Sequence, residues 1–145
     1  MKKKVLPLFH HHYIATEEAL IVACKNHFTA LKLEGLVIIP FTFVVDARGI
    51  IEALSLSALS QNPDLPFIEQ LWQSGEKRCQ AKEASCFAVC YDAHVFDAEE
   101  VDQDALVLLL KKADGSQQQL NFPYVVAEEG LVFGDTWLED FTNSR

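Results

Sequence analysis

Apolar positions along this chain recur with two different periods, and the switches between them mark out its elements. From Thr16 onward Leu20, Cys24, His27, Phe28 and Leu31 return every three or four residues. That spacing predicts a helix running to about Leu33, with Thr16 as N-cap, Glu17 and Glu18 in the first turn and Gly35 ending it. The period then drops to two. Val37, Ile39, Phe41, Phe43 and Val45 predict one face of a strand over Leu36–Val45, and Pro40 predicts an edge or a bulge there. Asp46-Ala47-Arg48-Gly49 reads as a hairpin turn, with Ile50–Leu56 as the return strand.

A connector rich in Ser, Asn and Pro (57–66) precedes a second helical pattern over about Phe67–Ala81, which Gly75 should weaken by about 1 kcal/mol. Strands follow at Cys86–Phe96, apolar on both faces up to Asp92, at Ala105–Lys112, at Gln117–Val126 and, after Gly130, at Leu131–Gly134. Asp114-Gly115 is the strongest turn signal in the chain. The order α-β-β-α-β-β-β-(β) predicts an α+β fold: a mostly antiparallel sheet of five or six strands with two helices on one face. Residues 1–145 are expected to form a single domain, with 1–15 as an N-terminal arm and 135–145 as a tail that could dock as one amphipathic turn through Trp137, Leu138 and Phe141.

Composition sharpens this picture in one respect. The net charge is −9, but residues 1–91 hold nine acids and nine bases, whereas residues 92–145 hold twelve acids against Lys111, Lys112 and Arg145. Such a balance argues against nucleic acid and against an anionic membrane surface, since both are held by Lys and Arg. It suits simple solubility, the plainer reading, or a basic protein partner. The cysteines Cys24, Cys79, Cys86 and Cys90 fall in apolar segments, as expected of free thiols in a reducing, cytoplasmic setting. The start resembles a lipoprotein signal, but Pro7, His10–His12, Glu17 and Glu18 interrupt what would have to be its apolar stretch.

Chemistry-bearing motifs are few. His10, His11 and His12 adjoin one another, and neighbours on an extended arm point to opposite faces, so they are poorly placed to share one metal ion. Cys86 and Cys90 share a strand face but lie about 13 Å apart, too far for two thiolates on one zinc. Asp92 and His94 alternate onto one face, where an aspartate could orient a general base. No nucleophile motif accompanies them. The acids Asp97, Glu99, Glu100, Asp102 and Asp104 lack the glycine and glutamate positions of a calcium loop. Phosphate loops and dinucleotide fingerprints are absent, so no cofactor is expected.

The order α-ββ-α-βββ, with Val44-Val45-Asp46-Ala47-Arg48-Gly49-Ile50 between the first strands, is similar to roadblock and longin-like domains. That resemblance implies a small interaction module that dimerises. The longer pattern of Pro40–Gly49, Cys86–Asp92 and Phe122-Pro123-Tyr124 before Gly134 resembles small bacterial α+β proteins of unknown function, which implies no activity. Together these readings lead to the expectation of a non-enzymatic interaction module, self-associating or binding a basic protein. Asp97, Glu99, Glu100, Asp102, Asp104, Trp137 and Phe141 are its contact candidates. The alternative is a small enzyme or ligand-binding protein with Asp92 and His94 in a pocket beside the sheet.

Overall fold

The computed structural model describes residues 13–54, 65–97 and 99–140; His10, His11, His12 and Phe141 lie outside these. In chain order the elements are α1 (Ala15–Leu33), β1 (Phe41–Asp46), β2 (Ile51–Ala53), α2 (Phe67–Gln80), β3 (Ala84–Phe96), β4 (Asp102–Lys111), β5 (Gln117–Ala127), β6 (Gly130–Phe133) and β7 (Trp137–Asp140). Among the described residues the strands form one seven-stranded sheet in the order β2-β1-β3-β4-β5-β6, with β7 also paired to β5. Every pairing is antiparallel. The α+β class and the order of elements agree with the hydrophobic pattern.

The two helices, expected on one face, lie on opposite faces. Leu20, Cys24 and Phe28 of α1 pack on Val45, Cys86, Ala88, Cys90, Leu106 and Leu108. Leu71 and Trp72 of α2 pack on the alternate residues Val44, Phe87, Val89, Val107 and Leu109. The cause is in the strands themselves: Cys86–Cys90 and Ala105–Leu110 are buried at every position, so both faces need cover. Topology supplies it. Since β2 and β3 flank β1 and both oppose it, they run parallel, and the α2 connection must cross the sheet on one side.

Other differences are local. Pro40 sits just before β1 rather than within it, and β1 is an inner strand. Thr16 lies inside α1, which begins one residue earlier. Glu17 closes that end instead: one oxygen accepts from the Ile14 N–H (3.0 Å) and the other from the Ala113 N–H (2.9 Å). Both expected turns form. Asp46 Oδ1 accepts from the N–H groups of Arg48 and Ile50, and Gly49 takes φ +86°.

Gly75 has a packing role that helix propensity conceals. A Cβ there would lie 2.5 Å from the Phe87 ring, so its absence lets α2 settle onto β3. Residues 137–140, expected as part of a tail, form strand β7: Leu138 joins the α1-side core, and Trp137 is buried beside Asn121 on β5. No helix among the described residues is long and apolar enough to cross a membrane.

Candidate functional site

The sheet forks at one end. Pro123 is the last β5 residue paired with β4, opposite Ala105, and it has no N–H to extend the ladder. Beyond it β5 pairs only with β6 on its other side, while Asp102–Asp104 of β4 stay with β3. The β6–β7 connection passes the same point, where the Gly134 N–H donates to the Pro123 carbonyl (2.8 Å). A cavity of about 380 Å³ opens there. Asp97, Glu99, Gln103, Asp135, Thr136 and Trp137 are among its lining residues, and among the described residues no Lys or Arg lines it.

Each wall has its own local cause. Asp97 organises the β3–β4 loop: Oδ1 accepts from the N–H groups of Glu99 (2.9 Å) and Val101 (3.0 Å), and Oδ2 from Gln103 Nε2 (2.6 Å). Glu100 adopts φ +63° within that loop, a left-handed conformation that tightens it. Trp137, a contact candidate in the sequence, is only 3% exposed and forms a wall of the cavity. Its indole N–H has no acceptor among the described residues. Beside it, the Glu139 carboxylate accepts from the side-chain amides of Asn121 and Gln119. The cross-strand pair Val125 and Val132, 63% and 55% exposed, borders this end of the sheet.

The remaining sequence candidates go to separate places. Asp92 joins Lys32 and Tyr124: its Oδ2 lies 2.9 Å from Lys32 Nζ, and its Oδ1 accepts from the Tyr124 hydroxyl at 2.6 Å. The hydrogen bond to Asp92 raises the Lys32 pKa above the ordinary lysine value. Burial, then the Asp92 hydrogen bond, pushes Tyr124 up to about 12. His94 instead pairs with Asp104 across the strand (Nδ1 to carboxylate 2.9 Å), with Asp102 at 3.7 Å. Thus the structure brings Asp97, Glu99 and Trp137 to one cavity and His94 to Asp102 and Asp104. It gives Asp92 to α1, with no hydrogen bond to His94 among the described residues.

Asp92 therefore acts as a clamp between α1 and the sheet. Asp92→Asn should lower unfolding free energy by about 1–3 kcal/mol, because a half-buried ammonium and a hydroxyl both lose their charged acceptor. Urea denaturation checks this, with an unchanged slope expected; a loss below a few tenths of a kcal/mol would refute the clamp.

Asp135 and Thr136 of the cavity were missed in the sequence. The only signal was Gly134-Asp135 following a short apolar run, which reads as a generic strand end. Cys24, Cys86 and Cys90 are buried, Cys79 is half-buried and none of the four is in a disulfide; burial raises the Cys86 thiol to about 11 and pushes Cys90 well above the ordinary thiol value. Among the described residues no group of His, Cys, Asp and Glu is placed to hold a metal ion. No known protein family, curated protein or solved structure matches this chain.

Proposed function

We propose that this protein is a non-enzymatic interaction module that receives a basic, partly apolar segment of a partner protein in the cavity at the forked end of the sheet. The observation that carries this reading is that cavity, lined by Asp97, Glu99 and Asp135 with no lining cation among the described residues, while Val125 and Val132 are exposed on the β5–β6 hairpin that follows its lining residue Pro123. Three carboxylates around one concavity attract cationic side chains and raise encounter rates with them. The apolar pair on that hairpin offers contact area for the apolar part of such a segment, which charge alone does not supply.

Self-association is the second element of the proposal, and it uses a different surface, because two copies of an acidic cavity repel. Leu36, Val37 and Ile39, 50%, 89% and 62% exposed, make the segment between α1 and β1 a strip of exposed apolar side chains. A second copy covering that strip accounts for it better than solvent does. The cytoplasmic setting suggested by four free cysteines is part of the same reading.

The test uses a fluorescent peptide alternating Arg and Val, read by anisotropy. Salt-sensitive binding is expected, weakened at least about ten-fold by Glu99→Lys with Asp135→Lys, a change of about 1.4 kcal/mol or more. Equal binding by the reversed variant would defeat the cavity assignment. In parallel, sedimentation of Val37→Glu should show a monomer where the parent chain shows a dimer; a monomeric parent would end the self-association reading.

A further inference from the structure

The opposite end of the sheet carries the reverse charge. A cavity of about 330 Å³ lies where α2 ends and the β4–β5 turn begins, lined by Lys82, Lys111, Lys112 and Ser85, with Ala47 and Ala84 in its wall. No carboxylate lines it among the described residues, although the chain as a whole carries a net charge of −9. We propose that this cavity binds the phosphate group of a small phosphorylated metabolite. The proposal is independent of the acidic end.

Nearby carboxylates compensate these lysines only in part: the Asp114 carboxylate is close enough to Lys112 for the two charges to attract each other. Glu76 bridges Lys111 (3.3 Å), and Lys111 retains two further ammonium protons to donate. Glu17 is 2% exposed and spends its oxygens on the backbone N–H groups of Ile14 and Ala113. Lys82 has no ion-pair partner among the described residues, and Lys112 Nζ lies 5.1 Å from the centre of the Tyr13 ring. The last carbonyls of α2, which would repel an anion, are already occupied. Those of Lys77, Arg78 and Cys79 accept from the N–H groups of Ala81 (2.9 Å), Glu83 (2.9 Å) and Lys82 (3.0 Å).

Lys82 gives the second observation. It occupies the position after the helix cap with φ +61°, a left-handed site where glycine is the usual residue. A lysine there costs stability that a glycine would not, and that lysine lines the cavity. Phosphate monoesters fit the chemistry: several lysines act as point charges on a group carrying about −1.5 to −2 at neutral pH. The volume exceeds a bare phosphate, and the alanines offer an apolar wall to a carbon body.

Titration of the full chain with inorganic phosphate and with glycerol 3-phosphate, at constant ionic strength, tests this through the amide resonances of Ser85, Ala113 and Gly115. Saturable shifts are expected for both, tighter for the ester. Lys82→Gly should raise the melting temperature by relieving the left-handed lysine while weakening the ester at least about five-fold. Lys112→Gln should weaken it without the thermal gain. Shifts reproduced by sodium chloride of equal ionic strength, or a Lys82→Gly variant that binds as tightly as the parent, would overturn the site. Free phosphate binding as tightly as the ester would overturn the metabolite assignment.

Discussion

Phe87→Ala will remove about 3–5 kcal/mol of stability, the range expected when a fully buried aromatic ring is deleted from a core. Phe87 is fully buried near the start of β3, packs against Trp72 with ring centres 4.7 Å apart, and fills the space that Gly75 leaves open. Its removal empties the contact by which α2 holds its face of the sheet. The reciprocal change is equally informative. Gly75→Ala improves helix propensity by about 1 kcal/mol, yet it sets a methyl 2.5 Å from a ring that strand and tryptophan both confine. Overpacking should win, with a net loss of about 1–3 kcal/mol. Adding Phe87→Leu to Gly75→Ala should recover part of that loss, a non-additivity visible in a double-mutant cycle by urea denaturation. Additive losses would mean that α2 and β3 do not meet as described.

Alkali should unfold the protein in step with ionisation of its tyrosines. All three, Tyr13, Tyr91 and Tyr124, have pKa values raised chiefly by burial, Tyr13 and Tyr124 to about 12, and Cys86 is raised to about 11. A pKa raised in the folded state means that the folded chain holds its proton more tightly than the unfolded chain does. The resulting stability is therefore fully present below the unfolded values of 9.0 and 10.0, and is lost as pH climbs through the folded ones. Lys32 contributes with the same sign, its pKa lifted by Asp92. Tyrosinate absorbance should stay flat past about pH 10 and then rise together with the loss of circular dichroism. A tyrosine that ionised at its ordinary value in a chain still folded would contradict the burial of that ring.

What the sequence disclosed follows how local each feature is. Asp46–Gly49 and Asp114-Gly115 announce their turns because an aspartate bonding its own neighbours and a glycine at positive φ are properties of four residues. The two-sided burial of β3 and β4 was legible in the unbroken runs Cys86–Cys90 and Ala105–Leu110, and it already implied helices on both faces. Reading both helices onto one face missed that implication. The clamp at Asp92 could not be read in advance. Its partners lie 60 and 32 residues away, and only the packing of α1 across β3 and β5 brings them together.

The cavity was half legible. Acids crowd Asp97–Asp104, and Trp137 stands out as an aromatic near the end of the chain. Their meeting depends on Pro123 releasing β5 from β4 and on β7 continuing the edge after Gly134. Both are consequences of register, which is not local. The same holds for the basic cavity, where Lys82 comes from a helix end and Lys111 and Lys112 from the end of a strand about thirty residues on.

The central claim, that the forked end of the sheet receives a basic segment, is tested most directly by mapping where such a segment binds. Amide resonances of the labelled chain would be followed during titration with the Arg and Val peptide at low and at high salt. Shifts concentrated at Gln103, Gly134 and Thr136, fading as salt is raised, are the predicted result. Shifts centred instead on Asp92 and His94, or scattered over the acidic surface without saturation, would contradict the account.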